Sequence, residues 1–243
     1  MKLDMLKRFC LAGAVLSLTA FSGCETMDEV TKVLGGNHYC TNPETSVSGL
    51  KEALSVGTES AVAQTSKEGG YWNNPSLKIP LPKDLQKFAG TLRGIGLGDQ
   101  VDLLEKKMNE GAEMAAASAT PVFMTAIKNM AIPDAMGILN GSDSAATDFF
   151  RAKTYMQLKS QYSPVIGKEL EKVGAVKLYN ELYQKYSVLP LVPKLDVKLE
   201  DYVTEKALDG LFSVVAGEEK RIRQDPAART TELLKKVFGP ISL

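Results

Sequence analysis

The sequence has very little of the side-chain chemistry on which many enzymes and metal proteins depend. It contains one histidine, His38, and three cysteines, Cys10, Cys24 and Cys40, all within its first 40 residues. Nucleophilic catalysis of the Ser–His or Cys–His type needs an imidazole fixed by a rigid scaffold, and zinc sites need clustered His or Cys ligands. From residue 46 onward the chain has neither residue type, so we expect no such catalysis, no metal site and no cofactor there.

An excess of charge of either sign is also missing. The chain carries 29 basic and 29 acidic side chains, and no basic patch stands out along it. A balanced chain has no electrostatic footprint for nucleic acid, so we expect no nucleic-acid partner. After the first 23 residues, no apolar run approaches the roughly 20 residues that a membrane-spanning helix needs. Any contact with a membrane is therefore expected at the N-terminus.

The N-terminus has the pattern of a secretory signal. Two basic residues, Lys7 and Arg8, precede an uncharged, mostly apolar stretch at residues 9–21, and small residues follow it. A basic start, an apolar middle too short to span a bilayer, and small residues at the cleavage point are typical of a signal that is removed. We therefore predict a signal peptide at residues 1–23.

Cys24 follows a Ser-Gly pair, and this arrangement resembles the lipobox of bacterial lipoproteins, in which the cysteine thiol is acylated. Phe21 departs from the aliphatic residue that is usual in this motif, so cleavage that leaves a free Cys24 thiol is the alternative. Lipidation of Cys24, for example with palmitate, predicts a protein that faces the periplasm on a membrane anchor. Because Glu25 rather than Asp follows, the sorting rule of enteric bacteria favours the outer membrane of a Gram-negative bacterium.

The rest of the chain divides into a tether and a helical domain. Residues 24–45 are predicted to form a lipidated tether. Residues 46–243 are predicted to form one all-α domain of about eight to ten helices with proline-rich connectors at 79–82 and 189–193. Apolar residues recur at helical spacing, and no stretch alternates with a period of two between hairpin turns. Pro164 is expected to open one of the helices.

The most polar cluster of the predicted domain lies around Asn140, Asp143 and Thr147. Carboxylate, amide and hydroxyl oxygens near a tight turn can hold a cation or a polar ligand, so these three are candidate ligand-binding residues. The alternative is structural: Asn140 ends one helix, and Asp143 caps the next. The structural interpretation is favoured, because both residue types are common at helix ends.

Several separated blocks of the predicted domain resemble one known family. In chain order they are GLKEAL at 49–54, NNP at 73–75 with IPLP at 79–82, DAMGIL at 134–139, and YVT at 202–204 with KALDGLF at 206–212. They look like the bacterial envelope family called domain of unknown function 4197, over about residues 46–239. This resemblance implies a helical envelope protein that is often lipidated, and it implies no activity.

These features predict a non-catalytic envelope lipoprotein that binds an envelope protein partner or has a structural role. The first alternative is a carrier of a small or hydrophobic ligand, which should have an enclosed apolar cavity of about 300 Å³ or more. The second is a carboxylate-dependent enzyme such as a glycan hydrolase, which should have two carboxylates about 5–10 Å apart in an open cleft. A binding or structural protein should instead expose an apolar patch.

Overall fold

The structure is a computed structural model, and it describes residues 42–195 and 197–239. Over these residues it contains nine α-helices and no strand, which confirms the expected all-α class. The predicted signal peptide, Cys24 and nearly all of the predicted tether lie outside the described residues.

The helices are numbered α1 to α9 in chain order. Two of them, α2 and α9, are preceded by short 3₁₀ turns at Lys83–Leu85 and Pro226–Ala228. The bounds are α1 Pro43–Thr65, α2 Gln86–Gly94, α3 Gly98–Ala116, α4 Ala119–Asn129, α5 Ala135–Leu139, α6 Ala145–Lys172, α7 Ala175–Ser187, α8 Leu199–Gln224 and α9 Glu232–Phe238.

Helix α1 begins at a strong local signal. Asn42 is the N-cap, its side chain accepts the backbone N–H of Thr45 at 2.7 Å, and Pro43 occupies the first turn, where its missing N–H is not needed. The helix therefore starts slightly before residue 46, within the segment that the sequence assigns to the tether. At the other end of the chain, Thr231 caps α9 by accepting the N–H of Leu234 at 3.2 Å.

Pro164 does not open a helix, contrary to the sequence-based expectation. It lies inside α6, which runs without a break from residue 145 to residue 172. Leu158, Tyr162 and Ile166 are fully buried at four-residue spacing on both sides of the proline. The apolar stripe thus continues in register through Pro164, and its packing outweighs the local preference of proline for a helix start.

Helix α8 lies at the centre of the fold. Half of its residues are buried. Its contacts with α1 and with α6 are the two most extensive helix–helix contacts among the described residues. The two helices approach closely where Gly57 of α1 faces Val215 of α8. A Cβ atom added at residue 57 would lie only 3.3 Å from the Val215 side chain, so a larger residue there would crowd the contact. Phe212 of α8 also packs on Phe123 of α4 and Phe150 of α6, with ring centroids 5.4 and 5.6 Å away.

Two buried polar residues of α3 hold the long connection between α1 and α2. The Glu113 carboxylate accepts backbone N–H groups of residues 69, 71 and 72 at 2.9–3.1 Å. Asn109 makes a reciprocal pair with Ile79, accepting its N–H at 2.8 Å and donating to its carbonyl at 2.9 Å. The connection has no regular helix of its own, so these bonds satisfy backbone groups that would otherwise be buried without partners.

Tyr162 brings a polar atom into the core. Its side chain is fully buried, and its hydroxyl has no hydrogen-bond partner among the described residues. Burial raises the pKa of Tyr162 well above its ordinary value, and the neighbouring Tyr71 adds to the increase. The hydroxyl therefore carries a desolvation cost that no hydrogen bond offsets.

We predict that Tyr162→Phe leaves the free energy of unfolding at pH 7 unchanged or raises it by about 1 kcal/mol, because the lost hydroxyl has no partner. Above about pH 10 the unfolded chain loses this proton before the folded chain does, so wild-type stability falls by up to about 1.4 kcal/mol per pH unit from this one group. The variant lacks that loss. Urea unfolding at pH 7, 10 and 11 measures the difference, and a difference that stays constant with pH would contradict the prediction.

Candidate functional site

The structure places the three sequence-predicted site residues beside the C-terminal end of α8. Asn140 follows α5, and its side-chain amide donates to the carbonyl of Met136 at 3.0 Å. Asp143 is exposed, and its carboxylate accepts a hydrogen bond from the Gln224 side chain at 2.7 Å. Both side chains are therefore engaged within the protein, although both remain accessible to solvent.

Thr147 is buried, and its partner comes from a distant part of the sequence. Its backbone N–H and its hydroxyl both donate to Glu219 Oε2, at 2.7 and 2.6 Å. The N–H of Ala146 donates to the other oxygen of the same carboxylate at 3.0 Å. The expectation that Asp143 caps α6 is therefore wrong: Ser144 occupies the N-cap position without a side-chain cap bond, and Glu219 of α8 does the capping.

Arg223 completes this arrangement one turn further along α8. Its guanidinium donates twice to Glu219 Oε1, at 2.8 and 2.9 Å, and both side chains are almost fully buried. It also donates to the carbonyls of Leu139 at 2.6 Å and Ile138 at 3.2 Å, where α5 ends. We call this pair, with the backbone groups it binds, the Glu219–Arg223 clasp.

The clasp matches the electrostatics of the two helix ends that it joins. N–H groups at the start of α6 bind the Glu219 carboxylate, and carbonyls at the end of α5 bind the Arg223 guanidinium. Each charge thus faces the helix end of opposite partial charge. The polar turn between α5 and α6 is the connection that the clasp closes, so its polarity has a structural explanation.

Sequence reasoning missed Glu219 and Arg223, and the local pattern could not have revealed them. They stand four residues apart on a helix, the same spacing as in the surface pair Lys106 and Glu110. Only their burial, which depends on how α5 and α6 pack on α8, separates the two cases.

We predict that Glu219→Gln lowers the free energy of unfolding by about 3 kcal/mol or more, because it leaves the buried Arg223 without its counter-charge. Asp143→Asn is the matched control: it removes one carboxylate from the same turn at an exposed position and should change stability by no more than about 0.5 kcal/mol. Urea unfolding at pH 7 measures both variants. Equal losses for the two would show that the clasp does not organise this turn.

The described residues also line three clefts that are open to solvent. The first, between the end of α4 and the middle of α6, has a volume of about 390 Å³ and is lined by Ala126, Asn129, Met130, Ala131, Pro133, Lys153, Thr154 and Gln157. Its described lining combines apolar side chains with neutral polar groups and one lysine, and it includes no carboxylate.

The other two clefts adjoin each other where the start of α2 meets the segment before α8. The lysine cleft, of about 380 Å³, is lined by Lys83, Asp84, Lys87, Lys194, Leu195 and Val197. The carboxylate cleft, of about 310 Å³, is lined by Pro82, Asp84, Val197, Lys198, Asp201, Tyr202 and Glu205. The two share Asp84 and Val197, so they form neighbouring parts of one groove.

The carboxylate cleft has several of its polar groups already engaged. Glu205 accepts a hydrogen bond from Lys159 Nζ at 2.5 Å, and this bond raises the pKa of Lys159. The Tyr202 hydroxyl donates to the carbonyl of Pro80 at 2.9 Å, and burial raises its pKa, with a smaller contribution from Glu105. Among the described residues, no group of three or more His, Cys, Asp or Glu side chains is placed to hold a metal ion.

A comparison with known protein families identifies a match over most of the chain. A family model described as "Protein of unknown function (DUF4197)" matches residues 41–239, which confirms the resemblance seen in the sequence and extends it to the start of α1. No curated protein and no solved structure gives a significant match to the chain.

Proposed function

We propose that this chain, which belongs to the DUF4197 family of proteins of unknown function, is a non-catalytic binding or structural protein of the bacterial envelope. In this proposal the helical domain works beside a membrane to which the acylated Cys24 tethers it. The periplasmic leaflet of the outer membrane is the proposed location, and an envelope protein is a candidate partner.

The observation that carries the non-catalytic part is how the described domain uses four of its buried charged side chains. Glu113, Glu219, Arg223 and Arg229 all bind backbone groups, and Arg229 holds the last turn of α8 through the carbonyls of residues 222 and 223 at 2.9 and 3.0 Å. Catalytic sites instead keep charged groups available to a substrate. In this domain the four charged side chains are instead hydrogen-bonded to the backbone.

The two alternatives differ in how well the clefts support them. A carrier should enclose its ligand, and the three clefts described above are all open to solvent. A glycan hydrolase has a specific observation in its favour, since Asp84, Asp201 and Glu205 line one open cleft. Glu205 is bound by Lys159, however, while a general acid for glycoside cleavage usually lies against apolar groups. The hydrolase is therefore the second candidate, and release of reducing ends from peptidoglycan would reveal it.

The proposed anchor is the lipid on Cys24, a residue that lies outside the described part of the chain. Among the described residues, no helix is both long enough and apolar enough to cross a membrane. A single acyl chain gives only marginal membrane binding, so the several chains of a bacterial lipoprotein would be needed for stable attachment.

We predict that Cys24→Ser abolishes incorporation of labelled palmitate and releases the protein from membranes, because the variant has no thiol at the lipobox. Cys40→Ser is the matched control, since it removes a thiol outside that motif and should keep both the label and the membrane attachment. Membrane fractionation with a high-salt wash measures the outcome. A Cys24→Ser protein that stays in the washed membranes would show that another anchor exists.

A further inference from the structure

We draw no further inference here: the strongest candidate, the open cleft between the end of α4 and the middle of α6, has one charged side chain in its described lining, the exposed Lys153, and nothing in the structure shows what covers it.

Discussion

The Glu219–Arg223 clasp is the interaction on which the arrangement of α5, α6 and α8 depends. One carboxylate satisfies the first N–H groups of α6, and one guanidinium satisfies the last carbonyls of α5. Apolar contacts are not directional, so they do not by themselves set where a helix end lies along its neighbour. These hydrogen bonds are directional, and they fix two helix ends to single positions on α8. The tight turn between α5 and α6 is possible because α8 supplies the capping groups that the turn itself lacks.

A buried ion pair is expensive to desolvate, and many such pairs could be replaced by apolar residues without loss of stability. This pair differs, because each partner also binds buried backbone groups at a helix end, the N–H groups of residues 146 and 147 and the carbonyl of residue 139. An apolar replacement would leave buried N–H and carbonyl groups unsatisfied, at about 1–3 kcal/mol for each group. The same reasoning applies to Glu113 and Asn109, which hold the connection ahead of α2. Buried polarity in this domain therefore fixes irregular backbone in place.

The helical class followed from the sequence because apolar spacing and local caps act over a few residues. Errors arose where tertiary packing overrode a local signal. Pro164 was expected to start a helix, yet the buried stripe through Tyr162 and Ile166 carries α6 across it. Asp143 looked like an N-cap, but Glu219, 76 positions further along the chain, performs that role. The lysine cleft was equally invisible, since it joins segments about a hundred residues apart in a chain of balanced charge.

The buried charges of the described domain lie where backbone groups need partners. Glu219 and Arg223 bind helix ends, Glu113 binds the connection ahead of α2, and Arg229 binds the carbonyls of the last turn of α8. Two further buried carboxylates, Glu169 and Glu218, are paired with basic side chains on their own helices instead. The difference follows from position: backbone groups inside a helix already have partners, whereas those at a helix end or in an irregular connection must find theirs elsewhere in the fold.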